Sequence, residues 1–267
     1  MSGDGGDELF GGYNRYNWAK KIKLFYNLPY SIRILLGKSL KFISPLQWDS
    51  ILLKLPFFKN YSFPGDKIYK LSEVIQLQNF SNVYSYLISQ WQKKDIPLKK
   101  NIQLNELFTL NKEQSFLDLS EQMQLMDINN YFPDDILTKV DRASMSCGLE
   151  VRVPYLEKNL VEFMWSINSK EKNSKKILKS ILYKYVSKKL MERPKMGFSV
   201  PLEKWLKSSL KDWASDLLQK KELENNNINS RIVIEKWKEH LSGKRNWQYQ
   251  LWPVLIYQSW KKSLNAS

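Results

Sequence analysis

Residues 1–16 read MSGDGGDELFGGYNRY, and this stretch decides how the rest of the chain is interpreted. Its first twelve positions hold five of the ten glycines of the sequence, and three carboxylates stand among them: Gly3, Gly5, Gly6, Gly11, Gly12, Asp4, Asp7 and Glu8. Glycine allows positive φ and a close approach of the backbone to a ligand. Carboxylates in such a loop suit a hard cation such as Mg²⁺ beside phosphates. The stretch therefore predicts part of a nucleotide site.

The loop passes directly into an amphipathic helix, predicted over 7–26, whose first turn contains Asp7 and Glu8. Phosphate-binding glycine loops usually follow a β-strand, but only Met1 precedes Ser2. A flexible terminus is the alternative interpretation. The abrupt change from loop to helix argues against it.

Composition limits the possible functions. Lys and Arg number 42 and Asp and Glu 27, a net charge of +15, which suits nucleic acid, an anionic membrane, a nucleotide or an acidic partner. The single cysteine, Cys147, excludes an intrachain disulfide and favours the cytoplasm. No apolar run reaches the roughly 18 residues that span a bilayer. The lone histidine, His240, is predicted on a helix surface, so catalysis that needs a histidine base or several histidine metal ligands is not expected.

The remaining sequence predicts a mostly α fold with almost no strand. Pro133 suits the first position of a helix over 134–145, and Gly148 suits its cap. The alternating LEVRVPYL, residues 149–156, predicts a short extended segment. The lysine-rich residues 168–176 predict an exposed loop. The tryptophans of the last helices are interpreted as packing residues: Trp237, Trp247, Trp252 and Trp260.

Three long motifs carry a resemblance to a known family. They are SGDGGDELFGGYNRY at 2–16, YFPDDILTKVDRASMSCGLEVRVPYLEKNLVEF at 131–163 and ERPKMGFSVPLEKWL at 192–206. In this order they resemble signatures of the synthetase domain of glutamine-hydrolysing asparagine synthetases. The resemblance extends over nearly the whole chain, which is expected to be a single, partial synthetase domain over 1–267.

The resemblance implies a fold and a reaction. The fold is the helical C-terminal portion of an α/β adenine-nucleotide-binding domain of the pyrophosphate-loop ATPase type, with most of the parallel sheet outside this chain. In the reaction, ATP adenylates the side-chain carboxylate of aspartate, and ammonia from a separate glutaminase domain attacks the acyl-adenylate. The resemblance also implies a cytoplasmic enzyme, with a homodimer possible for the full-length protein.

The family motifs also imply roles for particular residues. Ser2, Gly3 and Gly5 match nucleotide-binding positions. Asp4 matches an acidic position needed for adenylate formation, where many relatives have Glu. The Mg²⁺ and pyrophosphate position is matched by Asp7, with Glu8 adjacent, and Lys195 matches a lysine that stabilises the anionic intermediate. From the residues themselves, Asp141, Arg142, Glu150 and Arg152 are expected to form paired, partly buried ions.

The family's pyrophosphate loop, Ser-Gly-Gly-x-Asp-Ser, does not occur in the sequence. This chain is therefore expected to be a fragment that is inactive in ATP activation by itself. Three alternatives remain open. One is a related amidotransferase that acts on a sugar acid or another carboxylate, or a cyclase that closes an amide within one substrate. Another is a basic, tryptophan-containing helical module that binds nucleic acid, which is less favoured. The third is a degenerate partner subunit that completes its site with a separately encoded N-terminal half.

Overall fold

A computed structural model of the protein describes residues 1–56, 64–92, 95–99, 117–192 and 200–264. The α-helices are α1 (Gly6–Leu9), α2 (Asn14–Tyr26), α3 (Tyr30–Leu40), α4 (Pro45–Leu52), α5 (Pro64–Ile75), α6 (Phe80–Ile88), α7 (Leu119–Met126), α8 (Thr138–Met145), α9 (Lys158–Ser166), α10 (Ser169–Lys172), α11 (Lys176–Leu182), α12 (Lys188–Met191), α13 (Leu202–Lys207), α14 (Lys211–Leu217), α15 (Lys220–Asn225), α16 (Ser230–Leu241) and α17 (Gln248–Leu264). A π-helical segment covers Asp127–Leu137, and 3₁₀ turns cover Pro154–Leu156 and Asn173–Lys175. The β-structure in these ranges is one isolated antiparallel bridge between Leu98 and Ile228. The mostly α fold is confirmed.

The chain divides into two compact units. The first comprises Met1–Phe42, Tyr69–Ile88 and Glu106–Pro194, and the second comprises Ile43–Ile68, Ser89–Asn105 and Lys195–Ser267. The division into two compact units does not test whether residues 1–267 form a single domain, which stays a prediction.

The helix predicted over 7–26 is divided in two. The short α1 ends at Leu9, and α2 begins only at Asn14. Gly11 between them has φ +60°, a left-handed conformation that a continuous right-handed helix cannot contain. The break turns the chain back so that the N–H of Gly12 donates to the Asp7 carbonyl at 2.8 Å.

The prediction that Pro133 opens a helix is wrong. Pro133 lies inside the π-helical segment, which joins α7 to α8 without a break. Proline has no N–H to donate and crowds the preceding turn, and a wider π-helical turn is one way for a helix to continue through such a position. The predicted end of the helix is correct, because Gly148 has φ +68° and donates its N–H to the Met145 carbonyl at 2.9 Å.

Among its described residues, the first unit has two apolar clusters. One packs α2 against α7 and includes residues from α5 and α6: Tyr16, Ala19, Ile22, Val74, Val83, Tyr84, Met123 and Met126. The other surrounds Leu9, Phe10 and Met164, directly beneath the glycine loop. The loop at 1–12 therefore rests on a packed support.

The second unit is built around the C-terminal helices. Trp237 is buried, and Trp247 and Trp252 pack against the same core. Packing roles are thereby confirmed for these three tryptophans, whereas Trp260 is about half exposed.

The prediction that His240 lies on the surface is wrong, because its side chain is completely buried. The His240 ring stacks on Trp237, and its Nδ1 accepts a hydrogen bond from the backbone N–H of Trp247 at 3.2 Å. Burial, reinforced by Lys207, lowers the pKa of His240 to about 4. A neutral imidazole packs in an apolar core, which its charged neighbours in the sequence do not indicate.

Candidate functional site

The start of the glycine loop is held by backbone and side-chain hydrogen bonds. The Ser2 N–H donates to the Arg152 carbonyl at 2.9 Å, and Ser2 Oγ donates to Asp4 Oδ2 at 2.7 Å. Gly5 has φ +82°, and a Cβ there would lie 3.3 Å from both Phe132 and Tyr155. Only glycine fits this position without strain.

Asp7 forms an ion pair that sequence analysis missed. The Lys175 Nζ lies 3.0 Å from Asp7 Oδ2, and both side chains are 30% exposed. Gly12 packs against this pair so closely that a Cβ would be 1.9 Å from Asp7 Oδ1 and 2.4 Å from Lys175 Cε. A side chain at position 12 would therefore displace Asp7 or Lys175 from this pair.

An unusual backbone conformation brings Lys175 to the loop. Ser174 and Lys175 have φ values of 60° and 59°, which is rare for two consecutive residues that are not glycine. Their N–H groups donate to the carbonyls of Gly11 at 2.9 Å and Phe10 at 2.8 Å. Strain of this kind persists when the surrounding structure fixes it, and it concentrates at functional sites.

The prediction of an exposed loop at 168–176 is thus wrong. The segment forms α10 and the 3₁₀ turn at Asn173–Lys175, and Lys172 is only 1% exposed. A lysine-rich composition indicates that a segment is exposed to solvent. The signal for the actual arrangement is the group of carboxylates at 4–8, because carboxylates in a basic chain are expected to pair with lysine or arginine. The sequence does not indicate which of the 42 basic residues pairs with Asp7.

Glu8 faces the protein interior. Its side chain is 2% exposed, and Glu8 Oε1 accepts a hydrogen bond from Tyr13 Oη at 2.8 Å. Burial raises the pKa of Glu8, and the hydrogen bond from Tyr13 opposes this effect. The two adjacent carboxylates therefore have different surroundings, since Asp7 faces Lys175 and Glu8 faces Tyr13.

A buried carboxylate anchors the helix that follows the loop. Asp127 Oδ2 accepts from Arg15 Nε at 2.8 Å and from Tyr16 Oη, while Oδ1 accepts from Tyr84 Oη at 2.9 Å. Burial raises the pKa of Asp127, and the Arg15 charge opposes that rise. Arg15 also stacks on the Tyr13 ring at 4.1 Å, which links this cluster to Glu8.

The structure brings together six of the seven residues implied by the motifs. Ser2, Gly3, Asp4, Gly5, Asp7 and Glu8 lie on the single loop and first turn described above. The predicted Lys195 lies outside the described residues.

The charged residues of the second motif are paired as expected but not buried. Arg152 Nη2 lies 2.8 Å from Glu150 Oε1, and Arg142 Nε lies 4.0 Å from Asp141 Oδ2. All four side chains are more than half exposed. Solvent therefore screens these pairs, and they contribute little to stability.

The magnesium ion expected from the family motifs stays a prediction, with Asp7 as its candidate ligand. In the described ranges no group of three or more His, Cys, Asp or Glu side chains is arranged to hold a metal ion. Mg²⁺ at phosphate sites often uses one or two carboxylates, with phosphates and water as further ligands. Asp7 fits this pattern. Glu8 as a second ligand remains a prediction, because its carboxylate is buried against Tyr13 in this arrangement.

Among the residues that the structure describes, no helix combines the length and the apolar character needed to cross a membrane.

Comparison with known proteins gives a consistent match. The family model described as asparagine synthase matches residues 1–262. Asparagine synthetase (glutamine-hydrolyzing) 1 of Bacillus subtilis is 28% identical over 268 residues, which cover 97% of this chain and 39% of that protein. Putative glutamine-hydrolyzing asparagine synthetases of Mycobacterium bovis and Mycobacterium tuberculosis are 28% identical over 273 residues, covering 97% of this chain and 38% of theirs. The chain thus spans less than two fifths of the length of these relatives. No solved structure gives a significant match.

Proposed function

Because this chain belongs to the asparagine synthase family, we propose that it forms part of a site for ATP-dependent conversion of a carboxylate, aspartate, to its amide. A carboxylate is a poor acceptor for ammonia, so its oxygen must first become a good leaving group. Transfer of AMP from ATP supplies that group and releases pyrophosphate. Ammonia derived from glutamine then displaces AMP.

The observation that carries this proposal is the ion pair between Asp7 and Lys175 beside the glycine loop. It joins an oxygen ligand and a fixed ammonium group 3.0 Å apart, and both remain accessible to solvent. A Mg²⁺–pyrophosphate group presents both a cation and anionic oxygens. Asp7 would bind the cation, and the Lys175 ammonium would donate to a phosphate oxygen.

The magnesium ion would supply charge neutralisation on the departing pyrophosphate. The protein residues would do the rest by position. Ser2, Gly3 and Gly5 would bind the nucleotide through the backbone, and Gly3 has open space around the position of a Cβ. Asp4, held by Ser2 Oγ, would orient the reacting carboxylate and ATP for adenylate formation.

Lys195 would stabilise the negative charge of the intermediate, a role that rests on the motif it shares with the family. The helical units would form the helical part of an α/β nucleotide-binding domain of the pyrophosphate-loop ATPase type. The chain spans 39% of the Bacillus subtilis relative, so the glutaminase and triphosphate-binding functions would come from sequence other than these 267 residues. We propose a cytoplasmic location, which the single cysteine of the sequence supports.

The binding half of the proposal is tested by calorimetric titration of the purified chain with Mg²⁺ and pyrophosphate. Wild type is expected to bind, and Asp7→Asn is expected to lose about tenfold or more in affinity because a charged ligand is removed. The matched control is Asp134→Asn, an exposed carboxylate elsewhere in the same unit. Absence of binding, or equal binding by all three proteins, would contradict the proposal.

The reaction type is tested by the products formed from ATP. A longer protein that joins these 267 residues to a segment with the family's pyrophosphate loop is incubated with ATP, Mg²⁺, aspartate and ammonium, and the nucleotide product is identified by mass spectrometry. Adenylation predicts AMP and pyrophosphate, whereas ADP and phosphate would exclude it. Replacing aspartate with sugar acids distinguishes an asparagine-forming enzyme from a related amidotransferase.

A further inference from the structure

Two carboxylates at the start of α7 each serve two elements. Asp118 Oδ1 accepts hydrogen bonds from the N–H groups of Ser120 at 2.8 Å and Glu121 at 2.9 Å. In return, Glu121 Oε2 accepts from the Asp118 N–H at 3.2 Å. These contacts form a capping box, which uses one oxygen of each carboxylate.

The other oxygens bind α10. Asp118 Oδ2 accepts a hydrogen bond from Ser169 Oγ, and Glu121 Oε1 lies 3.5 Å from Lys172 Nζ. In both pairs the residues are three apart, so each pair lies on one face of its helix. The contacts fix both the position and the rotation of α10. We call these four residues the α10 clamp.

Lys172 is the most unusual member of the clamp because its ammonium group is buried. The group donates to the Met164 carbonyl at 3.3 Å and lies 4.5 Å from the centre of the Trp165 ring. Burial lowers the pKa of Lys172, and Glu121 opposes that effect. A buried ion pair often stabilises a protein no better than apolar residues of the same size. Its distinctive property is that it selects one geometry.

The segment that this geometry fixes leads directly to the candidate site. The 3₁₀ turn at Asn173–Lys175 follows Lys172 immediately and contains the two left-handed residues. The turn is therefore held at one end by the α10 clamp and at the other by the carbonyls of Phe10 and Gly11. Release of either end would let Ser174 and Lys175 relax to ordinary φ values.

We propose that Lys172 is a positioning residue, which together with Ser169 holds the strained turn so that Lys175 stays against Asp7. Lys172 itself would contact neither substrate nor metal, because its side chain is buried. The proposal rests on the proposed function for the consequence, which is binding of pyrophosphate. The mechanical part, which is retention of the turn, stands without it.

The mechanical part is tested by hydrogen exchange on the purified chain. Lys172→Met keeps most of the apolar stem and removes the ammonium. It is expected to speed exchange of the Ser174 and Lys175 amides about tenfold. Lys170→Met, an exposed lysine of the same helix, should leave both amides protected. Ser169→Ala removes a neutral partner and serves as a second, milder variant if Lys172→Met does not fold.

The functional part is tested by a double-mutant cycle on Mg²⁺–pyrophosphate affinity. Lys172→Met alone is expected to weaken binding about tenfold. In a Lys175→Met background the same change should have no further effect, because the residue it positions is already absent. A general loss of structure would instead weaken binding in both backgrounds.

The outcomes separate the two proposals. If wild type does not bind Mg²⁺–pyrophosphate, the proposed function fails and the exchange data still decide the clamp. If Lys172→Met and Ser169→Ala leave the Ser174 and Lys175 amides protected, the positioning role is overturned. Equal losses of affinity with and without Lys175 would also overturn it.

Discussion

At the scale of single residues, Asp127 has the greatest number of described partners near the loop. Its two oxygens accept from Arg15, Tyr16 and Tyr84, and its side chain is fully buried. An amide has only one acceptor oxygen and no charge to balance Arg15. The residue therefore links α2 and α6 to the start of the π-helical segment.

We predict that Asp127→Asn lowers the free energy of unfolding by about 3 kcal/mol, because the Arg15 charge would remain buried without a counter-ion. Urea denaturation at pH 7 measures this quantity. The control is Asp134→Asn, which changes an exposed carboxylate of the same π-helical segment. Equal stability of the two variants would show that the cluster does not carry the packing of α2.

His240 gives the protein a predictable response to acid. Its pKa of about 4 in the folded state lies below its ordinary value of 6.5, so the unfolded state binds the proton more readily. The contribution of the neutral His240 to the free energy of unfolding is therefore fully present above pH 6.5 and is lost as the pH falls toward 4. Among the charged groups near His240, Lys207 lowers its pKa further and Glu203 raises it.

We predict that wild type loses on the order of 1–2 kcal/mol more than His240→Gln between pH 7 and pH 5. The unfolding free energies of both proteins at the two pH values measure this difference. The carboxylates titrate in both proteins and cancel, and His240 is the sole histidine of the sequence. Parallel losses would mean that the imidazole is protonated in the folded state.

At the scale of elements, sequence patterns identified most helices but not their interruptions. Apolar periodicity continues across Gly11 and Gly12 and predicts a single helix, but the structure has two. Pro133 is an ordinary helix start by local rules, but the structure places it inside the π-helical segment. Lysine content indicates solvent at 168–176, yet Lys172 pairs with Glu121, a partly buried carboxylate 51 positions earlier. The break at Gly11 and the burial of Lys172 both involve partners distant in the sequence, since the Gly11 carbonyl accepts from the Ser174 N–H.

The strained turn before α11 yields a prediction about stability. Ser174→Gly should raise the free energy of unfolding by about 1 kcal/mol, because glycine adopts a φ of 60° without a steric penalty. Ser180→Gly, in the middle of α11, should lower it by a similar amount. Thermal unfolding followed by circular dichroism measures both. The strain is absent if the two substitutions have the same sign.

At the scale of the whole molecule, the net charge of +15 attracts every anion, so a built site must be distinguished from general attraction. We predict that raising salt from about 50 to about 500 mM weakens Mg²⁺–pyrophosphate binding only several-fold, because short-range contacts are poorly screened. Binding of a polyanion such as heparin should fall far more steeply. Titrations of wild type and Asp7→Asn measure both.

Asp7→Asn should retain heparin binding while losing pyrophosphate. A parallel salt dependence of the two ligands would mean that the loop provides no specific site.

The tryptophans have a packing role rather than a base-stacking role, since Trp237, Trp247 and Trp252 contribute to the core of the second unit. Family and overall helix content were therefore predictable from local motifs. The pairing of Asp7 with Lys175 was not, because it depends on how two distant segments fold together.

The shared carboxylates of α7 also constrain how this sequence can change. Asp118 and Glu121 each use one oxygen within their own helix and the other on α10. Asparagine or glutamine would match the shape but could accept through only one oxygen. Either substitution would therefore lose the contact that caps α7 or the contact that binds α10. Substitutions that conserve size are thus not neutral at these two positions. The effect of a substitution at Ser169 or Lys172 depends on whether Asp118 or Glu121 is intact, because each residue contacts one of these carboxylates.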